Sequence, residues 1–541
     1  MLKLLQTSSL EKVLPQTTCP AAEITGLSAL RGETVFYQVA YCANEPKEYT
    51  VSVQSAVAEH VRLYAVRCVP VYLATFSFAM DDPNYISHNG GLYPDHLQPL
   101  VQPTVKAYSG YEALWVELSS DLPAGDHTVT LVFSAADGER QETTFCLHTI
   151  DAALPPQELQ YTQWFHTDCI STYYGVEAFS EEHWVLIEKF IRMAAENGVN
   201  MLLTPIFTPP LDTAVGGERP TVQLVGISRR NGQYTFDFTA LRRWIALGER
   251  CGIRYFEMAH LFTQWGAEYT PKIMVEEDGV LHRAFGWDVA ATDPRYEAFL
   301  DAFLPALTAE LRAAGVAERT VFHISDEPEE GHLESYTAAK RLAEKHLQGF
   351  RMMDALSSYA FYSRGLVAHP VVATTAIGTF IEHDVRPLWA YYCCGQVAGC
   401  SNRLMAMPSW RTRFIAYPLF KFAAEGFLQW GYNFYYTQFS TRPVDPFTET
   451  DAGHAFPAGD AFSVYPGPQG PEPSLRLFVF REALQDLRAM RLLEGMMGHE
   501  ALVKLLEEIA GETITFGHCA QEAATVLAMR ARVNAEIEKR L

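Results

Sequence analysis

Two adjacent carboxylates, Asp326 and Glu327, stand inside the stretch Thr320-Val-Phe-His-Ile-Ser-Asp-Glu-Pro328. Neighbouring carboxyls titrate apart: one stays ionised while the other is pushed up and can deliver a proton near neutral pH. Cleavage of a glycosidic bond uses that division. An acid protonates the leaving oxygen, and a second group stabilises positive charge developing on the sugar ring. Adjacent residues cannot easily flank one bond from opposite sides, so a two-carboxylate displacement suits the pair only if a distant acid such as Asp354 takes part. A substrate-assisted route suits the spacing better. In it the sugar's own 2-acetamido oxygen attacks the anomeric carbon, Asp326 orients and charge-stabilises the acetamido N–H, and Glu327 is general acid and then general base. The same residues would also serve an ordinary helix start. Ser325 or Asp326 would be the N-cap, Pro328 the first helical residue, and Glu327, Glu329 and Glu330 complements to the helix dipole.

The elements around the pair decide between these readings. Thr320 to Ile324 is a short β-branched and aromatic run, which predicts a buried strand, and Pro328 stops it. Glu329–Leu347, rich in Ala, Leu, Glu and Lys, predicts a helix. Strand alternation puts His323, Ser325 and Glu327 on one face, so Asp326 joins Glu327 in one pocket only if the backbone turns there, which Pro328 favours.

From about residue 160 the chain alternates strand and helix. Tyr161–His166, Val199–Thr204, Ile253–His260, Thr320–Ile324, Phe350–Asp354, Val371–Thr375, Leu388–Cys393 and Leu428–Tyr436 are the predicted strands. Helices are expected at Glu181–Asn197, Phe238–Gly248 and Tyr296–Ala314, with Ser474–Leu493 closing the set. Eight such units predict an α/β fold, a (β/α)₈ TIM-type barrel. A doubly wound open sheet is the runner-up, but no strand is followed by a Gly-rich phosphate loop. Before the barrel, Glu33–Tyr41, Tyr49–Val53, Ala113–Leu118 and His127–Phe133 are short strands between turn signals, which predicts an N-terminal β-sandwich. The segment from Asp81 through Pro94 and Pro99 reads as loop. The expected organisation is a sandwich over residues 1–153, with Leu154-Pro-Pro156 at the boundary, a catalytic barrel over 154–497, and a helical tail over 498–541 packed on the barrel.

A barrel places its active site at the carboxyl ends of its strands. The polar and aromatic residues sort that way: Trp164, His166 and Asp168 at the first strand; His260, Gln264 and Trp265 at the third; Asp354 at the fifth; Trp389 and Tyr391 in the seventh; Trp430, Asn433 and Tyr435 at the eighth. All but Asp168 are taken as candidate substrate contacts, together with His323, whose expected role is a hydrogen bond to Glu327 or the sugar. A ring of polar groups around an aromatic-lined mouth describes a site for a hydrogen-bonding ligand with apolar faces.

Composition narrows the partners. The 42 basic and 64 acidic residues leave a formal charge of −22 over 541 residues, which argues against nucleic acid and anionic membrane surfaces. No window is a transmembrane span, and Met1-Leu-Lys-Leu-Leu-Gln-Thr-Ser-Ser lacks a secretory apolar region, so a cytoplasmic location is expected. The ten cysteines are scattered. Cys393-Cys394 with Cys400 lacks the further ligands of a zinc site, and no H-E-x-x-H or G-x-S-x-G motif occurs, so neither metal nor cofactor is expected. Nothing in the sequence bears on oligomeric state.

Taken together, His323-Ile-Ser-Asp-Glu-Pro328 on a fourth barrel strand, Trp430-Gly-Tyr-Asn433, Gly459-Asp-Ala-Phe-Ser-Val-Tyr-Pro-Gly467, Pro473-Ser-Leu-Arg476 and Arg481-Glu-Ala-Leu-Gln-Asp-Leu-Arg488 resemble glycoside hydrolase family 123 and its largely uncharacterised sister group. Gly459-Asp-Ala stands where Gly-Asp-Gly is expected in the better-known members. The resemblance implies a β-N-acetylgalactosaminidase type of activity, with Asp326 assisting the acetamido group and Glu327 as acid/base. The expected function is a metal-independent exo-glycosidase that removes a terminal β-linked N-acetylhexosamine with retention. The alternatives are a glycosidase for a sugar without an acetamido group, working through two carboxylates, and a non-catalytic carbohydrate-binding barrel.

Overall fold

A computed structural model describes residues 1–15, 23–119 and 121–541. The N-terminal part is two five-stranded sheets. One runs Leu2–Ser8, Thr34–Ala43, Glu112–Ser119, Val61–Val71, Gly91–Pro99 in spatial order, and the other Gly26–Arg31, Arg140–Ala153, Gly125–Ser134, Lys47–Gln54, Thr104–Ala107. Every pairing is antiparallel except that of Gly26–Arg31 with Arg140–Ala153. Alternate residues of both sheets share one core: Tyr37 stacks on Phe145 at 4.0 Å, and Val39 and Leu114 join Val51 and Leu131. The segment expected to be loop up to Pro99 contains a strand, Gly91–Pro99. It lies at the sheet edge, where Pro94 and Pro99 deny the ladder few hydrogen bonds. Its register breaks between the pairs Arg67–His96 and Cys68–Pro94, which leaves Asp95 as a bulge residue.

The remainder is built on a closed barrel of eight parallel strands: Gln160–Gln163, Met201–Thr204, Tyr255–Met258, Thr320–Phe322, Arg351–Leu356, His369–Ala373, Trp389–Tyr391 and Gly426–Gln429. Met201, Leu203, Val321, Met353, Val371, Trp389 and Leu428 fill its interior, a packed core as such barrels require. All eight strands coincide with sequence-predicted ones but most are shorter, because the ladder ends where the mouth loops begin. The eighth departs most: after Gln429 the chain leaves the barrel, and Trp430–Tyr436 is loop.

Helices separate the strands. Ser180 caps Glu181–Glu196 through the His183 N–H, Asp293 caps Pro294–Ala313, and Ser474 caps Leu475–Met497. The helix expected from Glu329 begins later, as a single 3₁₀ turn at Glu330–His332 followed by Leu333–Glu344.

A four-stranded sheet beside the barrel was not anticipated: Gln233–Asp237, Gly226–Arg230, Ile273–Glu277 and Val280–Phe285 in spatial order. Its two hairpins turn on Asn231-Gly232 (φ 50° and 78°) and Asp278-Gly279 (φ 52° and 82°), the residue pairs that two-residue hairpins demand.

The tail forms helices His499–Ala510 and Ala523–Glu538. It was expected to pack on the barrel, and its last helix also lies on the N-terminal sheets. Asn534 donates to the Ser28 carbonyl at 2.9 Å, and Arg530 pairs with Glu33. Among the described residues no helix is long and apolar enough to cross a membrane.

Candidate active site

The fourth barrel strand ends at Phe322, and Asp326 and Glu327 lie on the loop beyond it. Glu327 takes a left-handed backbone, φ 43°, a costly conformation for a side chain of its size. Its N–H donates to the Ala355 carbonyl at 3.1 Å, and the Asp326 carbonyl accepts from the Trp265 N–H at 2.9 Å. This reversal cancels the alternation of a strand and brings both carboxyls into one cavity of about 200 Å³. The expected shared face of His323, Ser325 and Glu327 is therefore not found. His323 points beneath the cavity, and the Ser325 hydroxyl is spent on the Thr263 carbonyl at 2.8 Å.

The cavity sets the protonation of the pair. Burial pushes the Asp326 carboxyl well above the usual range, and the charge of Glu327 adds to it; Asp354 and Asp212 contribute further, while His323 opposes. Burial likewise raises Glu327, opposed by the Tyr391 hydroxyl, which donates to its Oε1 at 2.5 Å. Both carboxyls are thus biased toward their protonated forms, Asp326 by burial and its neighbour's charge, Glu327 by burial.

Beneath the pair lies a buried ion network. His323 donates from Nε2 to Glu257 at 2.6 Å and from Nδ1 to Asp354 at 3.3 Å. Burial alone would lower the imidazole, but the two carboxylates outweigh it and lift the group to about 10. Glu257 also accepts from the Trp164 indole and the Thr162 hydroxyl, each at 2.8 Å. Asp354 also accepts from the Tyr336 hydroxyl at 2.5 Å and from the N–H groups of Ile324 and Ser325 at 3.0 and 3.3 Å. Asp354 is 1% exposed with its oxygens taken. It anchors the chain leading to Asp326 and does not reach a ligand.

Of the remaining sequence-predicted residues, Trp164, Gln264, Trp265, Tyr391 and Trp430 line the cavity. The others lie outside its lining. His166 is a neutral ring between the Trp430 carbonyl (3.0 Å) and the Arg219 guanidinium (3.2 Å), held down to about 3 by burial and then by Arg219. Asn433 clamps the His166 backbone from both sides, at 2.8 and 3.1 Å. Tyr435 donates to the Val464 carbonyl at 2.9 Å. Trp389 fills the barrel interior against Gly426, where a Cβ would fall 2.1 Å from the indole. His260 is buried, stacked on His323 at 4.5 Å. Asp168 forms a fully buried pair with Arg219 at 2.6 Å.

Three carboxylates at the cavity or behind its wall escaped the sequence reading. Asp212 is a third carboxylate on the cavity wall, gripped by Phe439 N–H on Oδ2 (3.1 Å), by Ser440 Oγ on its carbonyl (2.6 Å) and by Gln264, which accepts its N–H. Burial raises it to about 6, against the Phe439 N–H and Arg219. It falls in a Pro- and Gly-rich loop with no periodicity to mark it. Glu257 was legible as the one acid inside an otherwise apolar strand. Asp460, of Gly459-Asp-Ala, accepts the Trp430 indole N–H at 2.8 Å and so sets that wall of the cavity. Burial raises Asp460 to about 7. Among the described residues no three His, Cys, Asp or Glu side chains converge as a metal site.

A family model described as glycoside hydrolase 123, catalytic domain, matches residues 164–493. Among solved structures, a family 123 glycoside hydrolase from Clostridium perfringens, analysed for glycolipid glycan hydrolysis, is similar over 100% of this chain and 98% of its own, with TM-score 0.76 at 12% identity. A Bacteroides ovatus GH5 xyloglucanase aligns over 85% of this chain and 98% of its own (TM-score 0.32, 9% identity). A putative glycoside hydrolase from Bacteroides vulgatus aligns over 87% and 78% (TM-score 0.34, 11% identity). No curated protein matches the chain.

Proposed function

The chain belongs to glycoside hydrolase family 123, and on that premise we propose that it removes a terminal β-linked N-acetylhexosamine, N-acetylgalactosamine foremost, by a retaining, substrate-assisted mechanism. The observation that carries this reading is the left-handed turn at Glu327, which puts two sequence-adjacent carboxyls side by side in one pocket. Side by side, they serve one face of a sugar better than two. The cavity, about 200 Å³, is smaller than the roughly 300–1,000 Å³ of drug-sized clefts. It suits one sugar ring, and hence a chain end.

Burial and the neighbouring charge push Asp326 furthest toward its protonated form. An acetamido N–H arriving against Asp326 is a donor and favours the charged carboxylate there, which leaves the proton on Glu327, next to the leaving oxygen. The acetamido oxygen then displaces the leaving group with its electron pair as Glu327 gives up its proton. The bicyclic intermediate is opened by water, whose proton returns to Glu327. Trp164 and Trp430 offer apolar surface to the ring, and the Glu257–His323–Asp354 network fixes Trp164 and the loop beneath Asp326.

A two-carboxylate route on a plain sugar would rest on Asp212, the one other acid on the cavity wall, rather than on Asp354. The deciding experiment is nitrophenol release from the β-N-acetylgalactosaminide, β-N-acetylglucosaminide, β-galactoside and β-glucoside. Turnover confined to the acetamido sugars is expected. Comparable turnover of the plain sugars would overturn substrate assistance, and sugar binding with no hydrolysis of any would mark a binding protein.

A further inference from the structure

Trp265 and Phe439 stand at the pocket mouth with 39% and 38% of their surfaces exposed, their rings perpendicular and 5.7 Å apart. Among the described residues Trp265 is the one tryptophan exposed to that degree, and it lines the same cavity as Asp326 and Glu327. Both aromatics sit on left-handed backbone, φ 58° and 60°, which a bulky residue adopts only where its surroundings impose it.

Those surroundings are the site itself. The Trp265 N–H is tied to the Asp326 carbonyl. The next residue, Gly266 (φ 117°), lies so close to His332 that a Cβ would fall 2.7 Å from its ring, and the Ser335 hydroxyl donates to the Gly266 carbonyl at 2.6 Å. Across the mouth, the Phe439 N–H donates to Asp212 at 3.1 Å, and its carbonyl accepts from the Ala214 N–H at 3.0 Å. Each ring thus rides on a loop pinned to a residue that carries a cavity carboxyl. Folding gains little from apolar surface left in water on strained backbone, so the arrangement points outward, to a ligand.

We propose that Trp265 and Phe439 form the leaving-group subsite, and that it takes a second sugar through its apolar face. This rests on the glycosidase reading above: with room for one ring inside, the group beyond the scissile bond must lie on the rim, where the indole is. An aromatic face there binds the intact disaccharide more tightly than its terminal sugar alone.

The test uses the full chain carrying Glu327→Gln, so that substrate stays uncut. β-N-acetylgalactosaminyl-galactose and free N-acetylgalactosamine are titrated by calorimetry and by tryptophan fluorescence. The disaccharide is expected to bind about tenfold more tightly or better, and Trp265→Ala to erase most of that gain while Trp265→Phe restores part of it. A gain that survives Trp265→Ala, or no gain at all, overturns the subsite. If the acetamido sugars do not bind, β-galactosyl-glucose against galactose carries the same comparison. Loss of acetamido binding alone then overturns the sugar assignment, and a disaccharide that never outbinds its monosaccharide overturns the subsite.

Discussion

His323 keeps a proton that burial alone would strip from it, because Glu257 and Asp354 face it from two sides. Its affinity for that proton rises from an ordinary 6.5 to about 10 on folding. The stability it contributes is therefore complete below pH 6.5 and is lost as pH climbs through about 10. His323→Gln leaves two buried carboxylates without their cation and should cost about 3–5 kcal/mol; urea midpoints measured from pH 6 to 10 should also lose their alkaline slope. Asp212 runs the other way. Its carboxyl is raised from 3.8 to about 6, so the protonated fold is favoured at low pH and that advantage is lost as pH rises through 6. Asp212→Asn should accordingly match the wild type in stability near pH 4. Above pH 7 it should exceed it by about 1–2 kcal/mol, allowing for solvent reaching the group through the pocket. The same variant separates mechanisms, since turnover should survive it under substrate assistance and collapse under a two-carboxylate route. For the central pair, Glu327→Gln should lose roughly 10²–10⁴-fold on sugars with poor leaving groups and far less on nitrophenyl glycosides, whereas Asp326→Asn should slow both. Equal losses on both leaving groups for Glu327→Gln would remove it as the acid.

At the level of elements, the barrel is held to shape by small choices that a single sequence shows poorly. Gly426 opens the eighth strand with no room for a methyl group, because the Trp389 indole from the seventh strand lies over it. Gly426→Ala forces that ring out of the interior and should cost about 1–3 kcal/mol or more, read as a lower thermal midpoint with the barrel's tryptophan emission shifted to the red. Trp389 illustrates why strand position alone misassigns residues. A tryptophan in the seventh strand was expected to meet sugar, but Trp389 lies low in the packed layer against Gly426, while Tyr391, two residues on and on the same face, is high enough to reach Glu327. His166, Asn433 and Tyr435 misled in a related way. Polar residues at strand ends also fasten the mouth loops to one another, and sequence does not distinguish fastening from binding. The strands themselves were readable from their β-branched and aromatic runs. The accessory sheet was readable too, from Asn231-Gly232 and Asp278-Gly279, whose two hairpins interrupt the alternation of strand and helix. What no local pattern could show is the turn at Glu327: Pro328 announces a break, and only the Ala355 carbonyl and the Asp326–Trp265 contact give it its direction.

On the scale of the whole molecule, the N-terminal sheets and the barrel are joined by charges that neither could bury alone. Arg476, 1% exposed on the long helix after the barrel, makes a two-pronged pair with the bulge residue Asp95 at 2.7 and 3.0 Å. The Tyr465 hydroxyl adds a donor to the same carboxylate at 2.6 Å. Gln485 exchanges two hydrogen bonds with the Thr34 backbone, both 2.8 Å, and the tail supplies Arg530 to Glu33. Arg476 also donates to the carbonyls of Gly459 and Phe462 at 2.6 and 2.9 Å, which bracket Asp460, the partner of the Trp430 indole. A continuous path of contacts therefore runs from a bulge in an N-terminal edge strand to a wall of the cavity. Removing the charge at Asp95 tests whether that path matters. Asp95→Asn strands a buried guanidinium and should cost about 3–5 kcal/mol, and if the path positions Trp430 it should also raise KM more than it lowers kcat. Because the shared network makes one cooperative unit of both parts, urea unfolding followed by tryptophan fluorescence and by far-ultraviolet dichroism should give coincident transitions that move together in the variant. Transitions that separate, with KM unmoved, would show instead that the N-terminal sheets merely rest on the barrel and leave the site to itself.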